Sequence, residues 1–161
     1  MADGRAAGYA CVMEQQGASG TGDQSTTKPI EVSTLVRALE ASWDHLTAFR
    51  GDTRAGNPAF GQCYPTSRVV QWFYPEYEIA KGEIWTGASL EEHYWNVRRV
   101  HGEDEFLDLS WRQFPSGSTI RGFSLLDRQA PGDSVRAKDR CALLLGRVLF
   151  YLSRHSKDSP S

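Results

Sequence analysis

The sequence predicts an α+β domain: helices first, then a small antiparallel sheet, then a closing helix. Three observations carry this. Apolar residues recur at helical spacing in two stretches before residue 75 and in one after residue 138. Between them the period drops to two, and aromatic and β-branched residues accumulate. At 161 residues, 40% of them hydrophobic, the chain suits one domain with a real core.

Residues 1–29 read as a disordered leader. Gly4, Gly8, Gly17, Gly20 and Gly22 are scattered among Ala, Ser, Thr and Gln. Such a stretch buries too little apolar surface to offset its ordering entropy. The folded domain is expected over residues 30–152, with a frayed polar tail over 153–161. The first helix is expected over Ile30–Trp43. Leu35, Val36, Leu39 and Trp43 fall on one face, with Ser33 or Thr34 as N-cap. Loop chemistry fills 47–62. A second helix starts at Cys63 or Tyr64 and runs to about Phe73. Pro65 is tolerated in its first turn, where an N–H has no intrahelical partner, and Pro75 stops it.

From Tyr77 to Trp85 the pattern alternates, with Gly82 marking a turn or bulge. His93–Val100 reads as a strand, His101–Asp104 as a turn and Glu105–Ser110 as the returning strand. Residues 115–138 are rich in Gly, Pro, Ser and charge, and read mostly as loop. Asp139–Leu152 is an amphipathic helix with Cys141, Leu144, Leu145, Val148 and Leu152 on one face.

Bulk properties narrow the function. Net charge is −2 and no basic stripe runs along the chain, which argues against nucleic acid as a partner. No apolar run approaches the ~20 residues of a membrane span, and the first residues lack the order of a secretory signal. Three cysteines, Cys11, Cys63 and Cys141, make no disulfide framework, so a reducing cytoplasm is expected. Without Cys-x-x-Cys or His-x-x-x-His spacing, no metal and no cofactor is expected.

Gly61-Gln62-Cys63 is the stretch with the most chemistry. A thiol at a helix N-terminus meets unpaired N–H groups and the positive end of the helix dipole, which favour thiolate. His93 and Asp108 supply a base and an orienting acid. If the hairpin turns at His101-Gly102, Val100 faces Glu103 and Trp95 faces Asp108. His93 and Asp108 then become diagonal neighbours on one face. A register slip of one residue separates them. Cys63, His93 and Asp108 together make an acyl-transfer site, with a thioester on Cys63 that passes to water or to an amine. Gln62, with the backbone N–H groups of the helix start, is the expected oxyanion donor. Tyr64 and Trp95 are the expected substrate-pocket residues. The expected partner is a small or carrier-tethered acyl substrate, with an amine acceptor in the amide-forming case.

GQC before a short apolar helix, HYWN, and LDLSWRQFP together resemble the YunG-like family of small bacterial proteins. The wider order of Cys, His and Asp is similar to the papain-like/transglutaminase-like superfamily. That resemblance implies a cysteine opening a helix, with His and Asp on adjacent antiparallel strands. It covers roughly residues 42–115. Papain-like enzymes place their oxyanion glutamine several residues before the cysteine, whereas Gln62 adjoins it.

Each residue also has a plainer reading. Free cysteines are commonly small buried hydrophobes, and Cys141 fits that description. His93 alone is a satisfied strand histidine, and Asp108 alone a turn residue. Trp72, Trp85 and Trp111 read first as packing, Asn96 as structural and Arg98-Arg99 as a solvated face. His45 and His101 read as surface residues, with His101 a weaker alternative base. The rival to an enzyme is a catalytically inactive binding module that keeps the papain-like fold.

Overall fold

A computed structural model describes residues 29–155. The leader up to residue 28 and the tail from residue 156 lie outside the described residues. The architecture is α+β. Two helices, α1 (Val32–Glu40) and α2 (Cys63–Phe73), precede a four-stranded antiparallel sheet, and a long helix, α3 (Val135–His155), follows it. The strands are β1 (Glu78–Trp85), β2 (Leu90–Val100), β3 (Glu103–Leu107) and β4 (Thr119–Leu125), in the order β3-β2-β1-β4.

The helices share one core. Leu35, Ala38 and Leu39 on α1 are fully buried, at the i, i+3, i+4 spacing that puts side chains on one face. They meet Val69 and Val70 of α2 and Leu144, Leu145 and Val148 of α3. The helix of α1 is shorter than its apolar pattern suggests. It starts after Glu31, with no side-chain cap from Ser33 or Thr34, and Trp43 lies beyond its end. Trp43 is still core, and its indole N–H donates to Thr66 Oγ1 at 3.1 Å, tying the loop to α2.

The loop between α1 and α2 is closed at its base. Phe49 N–H donates to Gly61 O at 2.8 Å, and Gly61 itself has φ +74°. An added Cβ there would sit 3.2 Å from Phe49 N. Only glycine adopts that conformation cheaply, so Gly61 aims the chain into α2. That helix occupies Cys63–Phe73, as its pattern predicts, with Pro65 in its first turn.

The sheet follows the expected hairpin register. Val100 pairs with Glu103, and the ladder runs back to Asn96 opposite Leu107. His101 (φ +52°) and Gly102 (φ +87°) form the tight turn, the two positive φ values that a two-residue hairpin loop needs. The strand β2 begins at Leu90, three residues before its expected start. The returning strand ends at Leu107, so Asp108 lies just past β3 rather than within it. The stretch expected to be mostly loop contains β4, which pairs antiparallel with β1 at the far edge. The last helix begins four residues early, at Val135, where Ser134 Oγ accepts from Ala137 N–H at 3.1 Å, and it continues through His155.

The two faces of β2 do different jobs. Tyr94 and Asn96 face α2: Asn96 Nδ2 donates to Ser67 O at 3.0 Å, and Tyr94 meets Tyr64 edge-on at 4.8 Å. Asn96 is 1% exposed and structural, as its sequence position suggests. Trp95 and Val97 point to the other face, where they join Ala80, Ile84 and Phe114 in a second cluster.

Candidate active site

His93 sits where β2 outruns its partner. The strand β3 pairs only with Asn96–Val100, so the β2 edge beside His93 is left free for residues 108–114. These fold over the imidazole. Phe114 meets it edge-on at 4.6 Å, Trp111 at 6.2 Å, and Trp95 stacks behind it at 5.7 Å. His93 is fully buried, and the aromatic walls fix the plane of its ring.

Asp108 approaches the other way, with Oδ2 2.6 Å from His93 Nε2. Its second oxygen, Oδ1, accepts from Ser110 N–H at 3.0 Å and Ser110 Oγ–H at 3.1 Å. The carboxylate is therefore oriented by the turn that follows β3. A carboxylate only accepts, so Nε2 carries the hydrogen and, in the neutral ring, Nδ1 keeps its lone pair.

Cys63, half-buried at the first position of α2, is the third group acting on this ring. Burial works against the imidazolium. The Asp108 hydrogen bond, then the Cys63 hydrogen bond and the charges of both, more than reverse this and raise His93 to about 9. With Nε2 engaged by Asp108, Nδ1 is the nitrogen left for the thiol. The helix α2 touches β2 through Tyr94 and Asn96, on the face opposite His93. The structure thus joins all three sequence-predicted residues, with both Asp108 and Cys63 acting on the His93 ring.

The supporting residues are placed as follows. Gln62 is 1% exposed, and its Nε2 donates to Asp44 O at 2.9 Å. That partner is a carbonyl, so the nitrogen assignment is fixed, and the buried Oε1 has no hydrogen-bond partner. Tyr64 donates its hydroxyl to Asp133, which also holds Arg68 at 2.9 Å. Burial first, and then Asp133, raise the Tyr64 pKa strongly, so it is locked as a donor. Trp95 is 1% exposed and backs His93 rather than lining an open pocket. Burial pushes the Cys141 thiol up to about 12, which leaves it unreactive at neutral pH. Among the described residues no group of three or more His, Cys, Asp or Glu is arranged to hold a metal ion.

Two residues at the site carry no sequence signal that singles them out. Gln113 brings Nε2 to 3.4 Å from His93 Nδ1 while donating to Ser110 O at 3.1 Å. Asn57, from the loop before α2, donates Nδ2 to Gln113 O at 2.9 Å. Gln113 lies within the phrase LDLSWRQFP, but nothing in its spacing points its amide at His93. A separate cavity of about 780 Å³ lies between the end of α1 and α3, lined by Trp43, Asp44, Arg147 and Tyr151 among others, and none of the three site residues borders it.

The fold and this constellation define the class: an α+β protein whose helix-start cysteine meets a carboxylate-oriented histidine at a sheet edge. The chain belongs to the YunG family, whose model, described as YunG protein, matches residues 31–153. Comparison with the curated proteins and with the solved structures gives no match. Among the described residues no helix is long and apolar enough to cross a membrane.

Proposed function

We propose that this protein is a cysteine-dependent acyl-transfer enzyme of papain-like/transglutaminase-like design, working through a thioester on Cys63. The observation that carries the reading is the pair of contacts on one buried ring. Asp108 holds Nε2–H, and the remaining nitrogen, Nδ1, serves the thiol. Nδ1 takes the proton from Cys63 Sγ. The sulfur bonds to the acyl carbon, and the carbonyl π pair moves onto oxygen. As the intermediate collapses, the bond to the leaving group breaks and the imidazolium gives that group its proton. Water or an amine then attacks the thioester, His93 takes the attacker's proton, and Cys63 leaves. Hydrolysis and amide formation share every step but the last acceptor. A domain of this size suits a small or carrier-tethered acyl donor.

The test starts from the full chain with Cys11→Ser, since Cys141 is buried and protonated. Iodoacetamide should alkylate Cys63 at about pH 6.5, and His93→Ala should slow this by roughly tenfold or more. A p-nitrophenyl ester should give a burst of p-nitrophenol equal to the enzyme concentration, absent in Cys63→Ala. Alkylation at the rate of an ordinary free thiol, with pKa about 8.5, together with no burst, would leave the inactive binding module as the reading.

The pH dependence has a defined sign. Imidazolium is the acid that the leaving group needs, it is held below about 9, and it is lost above. Turnover of an anilide, whose amine must be protonated to leave, should therefore fall as pH rises through about 9. The burst from the p-nitrophenyl ester, whose phenolate leaves unaided, should show no such fall. A shared limb for both substrates would mean that a different step titrates.

A further inference from the structure

The geometry points to Gln113, and not Gln62, as the side chain that donates to the oxyanion formed at Cys63, with Asn57 as its positioning residue. This rests on the acyl-transfer reading above. An oxyanion donor needs an N–H that is held in place, uncommitted at the moment of attack, and close to the nucleophile.

Gln62 is held but closed off: its Nε2 faces Asp44 O and the residue is 1% exposed, so its amide is shut away from a substrate oxygen. Gln113 meets all three. Its backbone carbonyl accepts from Asn57 Nδ2 and one side-chain amide hydrogen goes to Ser110 O, so the residue is fixed at its main chain and its amide is held at the nitrogen. The Ser110 partner is a backbone carbonyl, which fixes the nitrogen as the atom facing His93. The remaining hydrogen has only long contacts, at 3.4 Å to His93 Nδ1 and 3.4 Å to Ser110 Oγ. These sit at the weak end of hydrogen-bond geometry.

The contact with Nδ1 does not commit this hydrogen. The ring is imidazolium below about 9, and its Nδ1–H is then a donor that cannot accept from Gln113, so the amide hydrogen stays available for the oxyanion. The backbone N–H groups of Cys63 and Tyr64, without intrahelical partners at the helix start, complete the donor set.

The experiment compares two reactions of the same thiol. Iodoacetamide alkylation is a displacement with no oxyanion, whereas acylation by a p-nitrophenyl ester forms one. In Gln113→Ala, and in the uncharged, similarly shaped Gln113→Met, the acylation burst should slow by about 10²–10³-fold. Alkylation of Cys63 should stay close to wild type. Near-UV circular dichroism checks that each variant is folded, and Gln113→Met carries the comparison if Gln113→Ala does not fold. A parallel loss of alkylation would assign Gln113 to holding His93, and an unchanged burst would remove it from the site; either overturns the inference while the acyl-transfer reading stands. A wild type that alkylates but gives no burst overturns the acyl-transfer reading, and this inference with it.

Discussion

Asp108→Asn should lower kcat by roughly 10³–10⁴-fold while leaving the fold intact, because it reverses the histidine tautomer. Ser110 supplies two donors, its N–H and its hydroxyl, to Oδ1 of Asp108. In the asparagine variant those donors keep the side-chain oxygen on the Ser110 side. The NH₂ group is then turned toward His93 Nε2, 2.6 Å away in the wild type. A donor facing Nε2 forces that nitrogen to accept, which moves the ring hydrogen to Nδ1. The nitrogen that must take the Cys63 proton is then already protonated. The imidazolium also loses one of the interactions that raise it, so the high-pH limb for anilide turnover should move below its wild-type position near 9. Steady-state kinetics over pH, with far-UV circular dichroism as the folding control, give both readouts. A loss of less than about tenfold would mean that Asp108 does not set the tautomer.

Where the residues speak for themselves, sequence and structure agree. The β2–β3 register follows from the His101-Gly102 turn and from side-chain alternation, and these are local properties of the chain. That register brings His93 beside Asp108. Cys63 at the head of α2 was legible for the same reason, since a Gly-rich loop, a proline in the first turn and an apolar spacing mark a helix start. The edge strand was not legible. Every residue of Thr119–Leu125 is exposed, so no apolar alternation marks it, and Gly122 within it reads as loop. Its pairing depends on β1, forty residues earlier, which a local pattern does not contain. The first turn of α3 is hidden similarly: before Cys141 its only buried residue is Ala137. The glutamines show the limit most clearly. Gln62 adjoins Cys63 in sequence but donates to Asp44 O, whereas Gln113, fifty positions from Cys63, faces the His93 ring. Adjacency along a chain does not give the direction of a side chain at a helix start; the partners of the amide do.

Gly82→Ala should be the most damaging small substitution outside the triad. Gly82 pairs with His93 on one side and with Phe123 on the other. A Cβ there would lie 2.1 Å from Gly122 O, 2.6 Å from Trp95 Cη2 and 2.8 Å from Phe123 Cβ. The closest of these is backbone in a paired strand, which cannot swing aside as a side-chain tip does. Either β4 separates from β1 or Trp95 is pushed from its seat. Trp95 is the ring stacked behind His93, so the second outcome tilts the His93 imidazole. Overpacking of this kind costs about 1–3 kcal/mol, and a backbone clash belongs at the upper end. Gly122→Ala is the matched control. Its added Cβ meets nothing within 4 Å, and its φ lies outside the left-handed region. Within a strand that change should move stability by less than about 1 kcal/mol. Urea unfolding followed by tryptophan fluorescence measures both variants, and Cys63 alkylation measures the state of the triad. The expected result is a lower midpoint and slower alkylation for Gly82→Ala alone. Equal midpoints would show that the sheet yields at Gly82 and that the close approach of β4 does not hold Trp95 against His93.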